Sequence, residues 1–229
     1  MLPRITASAQ MIFLPEGRFF HSMLSAMKKY IVELIGTMFL VFAVGNAVIS
    51  QNALAPIAIG LMLMVMIFAG GHISGGHFNP AVTIAVCLRG KCDKKDVIPY
   101  ILCQIVGAVV AALIVKFLRG AGTGGANFDT TKVIVAELLG TFALAWVVLN
   151  AATAKGTSGN SFYGAAIGMT VTAGAFAVGD ISGAVFNPAV AIGAVAMKLI
   201  QVKFLWVYLV IGPLAGVLAA KVFKATSDE

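Results

Sequence analysis

Gly71-His-Ile-Ser-Gly-Gly-His-Phe-Asn-Pro-Ala-Val82 recurs 108 residues later as Gly179-Asp-Ile-Ser-Gly-Ala-Val-Phe-Asn-Pro-Ala-Val190, with nine of twelve positions identical. Proline suits the first position of a helix, where its missing N–H is not needed, and asparagine is among the best residues just before it. Asn79-Pro80 and Asn187-Pro188 therefore read as helix starts, followed by Ala81 and Ala189. The apolar runs behind them, Pro80–Leu88 and Pro188–Lys198, are too short to cross a bilayer, which takes roughly 20 residues. Each follows a long apolar run through a glycine-rich segment, so each is expected to be a re-entrant half-helix. Irregular backbone at membrane depth survives only where protein buries it or a watery cavity solvates it, so the doubled loop implies a pore.

Working outward, six long apolar stretches frame the loops, at about 30–49, 55–71, 97–117, 133–152, 161–179 and 203–223. The chain is 60% hydrophobic and 11% charged, with a mean hydropathy of +0.98, too little polar surface for a soluble globule of 229 residues. Long apolar runs without dyad alternation point to helices, not a β-barrel. The repeat extends beyond the loops. Ala58-Ile59-Gly60 matches Ala166-Ile167-Gly168, and Glu33-x-x-Gly36-Thr37 matches Glu137-x-x-Gly140-Thr141. Three spans per half make the second half enter the membrane from the opposite side. The expected fold is thus an all-α membrane protein with six transmembrane helices and two re-entrant half-helices in two inverted repeats.

Inversion brings the two helix starts face to face near mid-membrane, each with the positive end of a helix dipole and unsatisfied N–H groups. Cations and protons are repelled there, while the Asn79 and Asn187 amides offer donors to a passing water or alcohol. Glu33 and Glu137 are the carboxylates deep in the spans. Such groups need a reason. A proton relay is one reading; acceptance of N–H bonds from the re-entrant loops is the other, favoured by their matched positions. His72 and His77 lack partnering acids or thiols at ligand spacing, so no metal is expected, and bracing of the first loop is. Glycines 36, 60, 107, 140, 168, 212 and 216 are expected at close helix crossings.

Basic residues in short loops mark the cytoplasmic side. Eleven of sixteen fall there if the N-terminus is inside: Arg4, Arg18, Lys28, Lys29, Arg89, Lys91, Lys94, Lys95, Lys155, Lys221 and Lys224. Both termini are expected inside. The net charge of +7 sits on loops beside lipid headgroups, and no nucleic-acid partner is expected. Cys87, Cys92 and Cys103 read as free thiols. Residues 1–27 read as an extension without a cleavable signal, surface-lying or upstream of a start at Met27; 28–224 is the channel domain, with halves of about 28–120 and 130–224; 225–229 is a tail. No cofactor motif and no acid, base and nucleophile set stands outside the lipid, so no enzyme is expected.

The doubled Asn-Pro-Ala, Ser74–Thr83, the paired Glu-x-x-Gly-Thr, Gln104-x-x-Gly107 and Gly212-Pro213-x-x-Gly216 together resemble the aquaporin (major intrinsic protein) family over about residues 28–224. The resemblance implies a right-handed bundle, one pore per chain and a homotetramer. The short segment 118–132 and the lack of Asp after the second box resemble bacterial water channels more than glycerol facilitators, and the compact loops suggest a bacterial inner membrane. One departure matters. Water channels of the family place Arg after the second box, where this chain has Val190. Carried over by counting from the boxes, the family's filter falls on Ile59, Ala175, Ala184 and Val190, an apolar and mostly small set. Passage of water with glycerol, urea, ammonia or peroxide is expected. The alternatives are a strict water channel whose filter is rebuilt by Phe176 or Asp180, and an ion-conducting or poorly conducting protein of the same fold.

Overall fold

The computed structural model describes the backbone of residues 15–227 apart from 126, and side chains from residue 27 onward. Most of the 1–27 extension and the last two residues of the tail lie outside that description, although helix α1 (Pro15–Ile49) already begins within the extension. The remaining helices are α2 (Ala55–Ser74), α3 (Pro80–Arg89), α4 (Lys94–Arg119), α5 (Thr130–Val148), α6 (Tyr163–Ser182), α7 (Pro188–Ala196) and α8 (Leu205–Thr226). Among the described residues, six segments are long and apolar enough to cross a membrane: Met27–Ile49, Ala55–Ser74, Lys94–Arg119, Thr130–Thr153, Tyr163–Ser182 and Val202–Thr226. The expected spans are recovered in number and place.

The ends differ for local reasons. Helices α2 and α6 run three residues past the expected 71 and 179, because the Ser-Gly pairs stop them: Gly75 at φ 90° and Gly183 at φ 82° take the left-handed cap that glycine adopts without penalty. Helix α3 gains Arg89 and ends on Gly90 at φ 83°. Helix α7 stops at Ala196, short of the expected Lys198, since Lys198 turns left-handed at φ 60° and the chain folds back.

Within each half the first span packs on the other two, α1 on α4 and α2, and α5 on α8 and α6; the halves meet along α2 and α6. The short helices cross over, α3 lying mainly against α8 and α7 against α4, so each half holds the other's re-entrant segment. Small residues allow this closeness. A Cβ on Gly107 would overlap the Leu34 carbonyl, on Gly60 and Gly168 each other's backbone, and on Gly216 the Ala81 carbonyl. Large apolar side chains such as Phe39, Leu61, Leu102, Leu113, Leu139, Met169 and Val210 stand exposed on the outside, where lipid tails would meet them. Glu33, Thr37, Gln104, Glu137 and Thr141 are sealed inside. The outer face is thus apolar as well as the core, and the few buried polar groups are sealed within it.

Candidate functional site

Both asparagines do what their position before proline requires. Each is extended, Asn79 at φ −159° and Asn187 at φ −156°, and its Oδ1 accepts a first-turn N–H, from Ala81 at 2.9 Å and from Ala189 at 2.9 Å. The amide nitrogens reach across the pseudo-twofold. Asn79 Nδ2 donates to the Phe186 carbonyl at 2.8 Å, and Asn187 Nδ2 donates to the Phe78 carbonyl at 2.8 Å. An amide has two N–H hydrogens, so this clasp uses one and leaves one on each asparagine for a solute.

The loops behind them are latched by the buried acids. The Glu33 carboxylate accepts from Ser74 Oγ (2.7 Å), His77 N–H (2.9 Å), Phe78 N–H (2.7 Å) and Gln104 Nε2 (2.8 Å). Glu137 accepts from Ser182 Oγ (2.7 Å), Val185 N–H (3.0 Å) and Phe186 N–H (2.8 Å). This is the bracing arrangement, and it accounts for two carboxylates under lipid without a proton pathway. Phe78 and Phe186 are left-handed at φ 48° and 49°, a conformation costing a non-glycine residue about 1–2 kcal/mol. Their rings fill the space beside Gly36 and Gly140, where a Cβ would overlap them. The Glu-x-x-Gly motif is therefore one device: the acid holds the loop's N–H groups, and the glycine one turn later receives the loop's phenylalanine.

Two cavities open into the bundle, and the first reaches the clasp. One of about 510 Å³ opens at the end of the bundle bearing residues 50–56, 121–125 and 198–200, and Asn79, Asn187 and the loop residues Gly76–Phe78 and Gly183–Val185 line it. The other, of about 560 Å³, is lined by His72, Gly75, Lys91, residues 151–155 and residues 157–160. His77 and Val148 line both. Ile59, Ala175, Ala184 and Val190 all stand on the wall of the first cavity, with no arginine or hydroxyl side chain beside them except Thr123 toward the mouth. Ala184, in the left-handed region at φ 47°, holds the place of Gly76 in the first loop.

Other expectations divide. His77 lies buried on the first loop, its Nδ1 3.2 Å from Thr83 Oγ1 and its ring edge-on to Tyr100. His72 stands apart from it, exposed on the wall of the second cavity, because the α2 helix continues past it and turns it away from the loop. Asp180 lines the first cavity toward its mouth, whereas Phe176 is 56% exposed on the outer face and cannot rebuild a filter from there. The three cysteines are free thiols. Tyr100 and Tyr208, not anticipated, donate to the Ser74 and Ser182 carbonyls at 2.7 and 2.6 Å; the 108-residue shift relates them and was the available signal. Thr83 ties Gln104 to the first box through a 3.0 Å bond from Gln104 Nε2 and had no counterpart to reveal it, since the shift puts Gly212 opposite Gln104.

Comparison with known proteins bears on this site. The profile of the family described as Major intrinsic protein matches residues 20–223. The probable aquaporin NIP4-2 of Arabidopsis thaliana is 37% identical over 207 residues, covering 84% of this chain and 71% of that protein. The glycerol uptake facilitator protein-like 6 of Lactiplantibacillus plantarum is 35% identical over 216 residues, covering 89% of this chain and all of that protein (100%). The X-ray structure of the aquaglyceroporin from Plasmodium falciparum superposes with a TM-score of 0.78 at 20% identity, covering 88% of this chain and 96% of that one, and so shares the fold.

Proposed function

We propose that this chain, which belongs to the major intrinsic protein family, carries water together with glycerol and comparable neutral solutes through a wide, apolar filter. Members of the family are channels, not enzymes, and passive conduction of water and small solutes such as glycerol follows from membership and from the relatives. The finer reading concerns which residues select. Asn79 and Asn187 donate one free N–H each to the solute's oxygen, and the half-helix N-termini behind them repel protons and cations. Ile59, Ala175, Ala184 and Val190 form the selectivity filter. These four side chains carry no cation and no hydrogen-bonding group, so a carbon-bearing solute loses less among them than in a narrow polar ring, Lys198 and Asp180 standing elsewhere on the same cavity wall.

The observation that carries this reading is the shared wall: four small or apolar side chains beside the two asparagines in one cavity of about 510 Å³. Stopped-flow measurement of proteoliposomes under glycerol and urea gradients tests it. Glycerol flux well above that of protein-free vesicles is expected; rapid water flux with exclusion of both solutes would refute it in favour of a strict water channel.

Orientation and setting complete the proposal. The channel domain spans 28–224 in halves of about 28–120 and 130–224, with both termini cytoplasmic, as the basic loops favour. Four copies assemble in the bilayer, as the family resemblance implies. The compact loops favour a bacterial inner membrane as the setting.

A further inference from the structure

The histidine shared by the two cavities carries more than a bracing role. His77 has no counterpart in the second loop, where the repeat places Val185, so scaffolding common to both halves does not explain an imidazole there. Its surroundings fix where its proton sits. Gln104 is oriented by Glu33: its Nε2 lies 2.8 Å from Glu33 Oε2, and the reversed amide would set oxygen against carboxylate. The second Nε2 hydrogen goes to Thr83 Oγ1 at 3.0 Å. Thr83 has a single hydroxyl hydrogen, and that hydrogen goes to the Asn79 carbonyl at 3.0 Å. The hydroxyl oxygen can then only accept from His77 Nδ1. Their 3.2 Å separation fits an N–H donor and is long for a hydroxyl one.

With Nδ1 carrying the hydrogen, the neutral ring presents a bare lone pair at Nε2. That atom lies on the side of Gly75, whose added Cβ would stand 3.0 Å from it, and Gly75 lines the second cavity. Nε2 has no hydrogen-bond partner among the described residues, and it is not one of the fully enclosed polar atoms of the bundle. It is open to whatever occupies the junction.

We infer that His77 is held as the Nε2-acceptor tautomer and is the side-chain acceptor of the conduit, taking an O–H or N–H hydrogen from a solute passing the Asn79 and Asn187 donors. The solutes it favours are small neutral molecules rich in donors, polyols above all. Water in single file finds acceptors in its own neighbours; a polyol at the junction has no such neighbour, so the lone pair matters more to it. The inference rests on the conduit reading above, and its tests separate the two.

The chain has three histidines, His21, His72 and His77, so ring-15N-labelled protein in bilayers at pH 8 resolves them, with His21→Gln and His72→Gln giving the assignment. His77 should show a protonated Nδ1 and a pyridine-type Nε2, and the opposite tautomer would overturn the inference. In proteoliposomes, His77→Leu should lower glycerol permeability more than water permeability, their ratio falling about three- to tenfold, the equivalent of one net hydrogen bond. An unchanged ratio would leave the ring a structural brace only and refute the acceptor role. Should His77→Leu fail to insert, the tautomer of the unmodified chain decides alone. Absence of any flux through the unmodified chain would instead sink the channel reading, while the ring spectrum would still settle the tautomer.

Discussion

Replacing Glu137 with leucine removes the acceptor for the Val185 and Phe186 N–H groups and for Ser182 Oγ. The serine has another acceptor 3.5 Å away, the Val178 carbonyl, so its loss is small. The two backbone N–H groups have no such recourse, and a buried donor left unpaired costs about 1–3 kcal/mol, or about 2–6 kcal/mol for the pair. Phe186, no longer held at φ 49°, is then free to leave its pocket beside Gly140 and to withdraw the carbonyl that Asn79 clasps. Glu137→Gln keeps one acceptor oxygen and should lose about half as much. Detergent-solubilised protein unfolded by rising dodecyl sulfate, followed by the fluorescence of Trp146 and Trp206, should rank the unmodified chain above Glu137→Gln and Glu137→Leu last, with glycerol flux falling in the same order. Glu33→Leu should be worse still, since it also strands Gln104. A Glu137→Leu protein that unfolds and conducts like the unmodified chain would refute the latch.

Three further outcomes follow from the same geometry. Val190→Arg sets a guanidinium among Ile59, Ala175 and Ala184, in a cavity that Lys198 also lines, and stopped-flow assays should show glycerol flux reduced about tenfold or more with water flux much less affected. Gly36→Ala forces the Phe78 ring from its seat and should destabilise the fold by about 1–3 kcal/mol or more, read as an earlier midpoint in the same unfolding assay. Burial pushes the Cys92 thiol up to about 11, so its thiolate is scarce at neutral pH; in a Cys87→Ala/Cys103→Ala protein, maleimide labelling should keep rising about tenfold per pH unit past 9, where an ordinary thiol of pKa near 8.5 has levelled off. A plateau at the ordinary value would contradict it.

What the sequence discloses here is what the repeat writes twice. The spans, the helix starts at Pro80 and Pro188, the facing asparagines and the matched acids all follow from residues that recur at a fixed offset, because inversion demands the same chemistry at both places. Helix ends were less legible: they depend on whether a particular residue turns left-handed, and Gly75 and Gly183 announce that by their type while Lys198 does not. The role of Gly36 and Gly140 needed the Phe rings in place, since a glycine at a helix crossing and one receiving an aromatic ring look alike in a list of residues. His72 was misplaced for a geometric reason. It stands five residues before His77, but the first sits on a helix and the second on the loop that leaves it, so proximity along the chain did not become proximity in space.

The reciprocal clasp has a genealogical consequence. Asparagine on one side gives to phenylalanine on the other, and the favour is returned between the same two atom types, so the bond pair would be equally complete between duplicate polypeptides of half this length related by a twofold axis. Within one chain the two halves need not match each other everywhere else. Differences such as imidazole against isopropyl at 77 and 185, or carboxamide against hydrogen at 104 and 212, are where the two halves of the passage are chemically distinct.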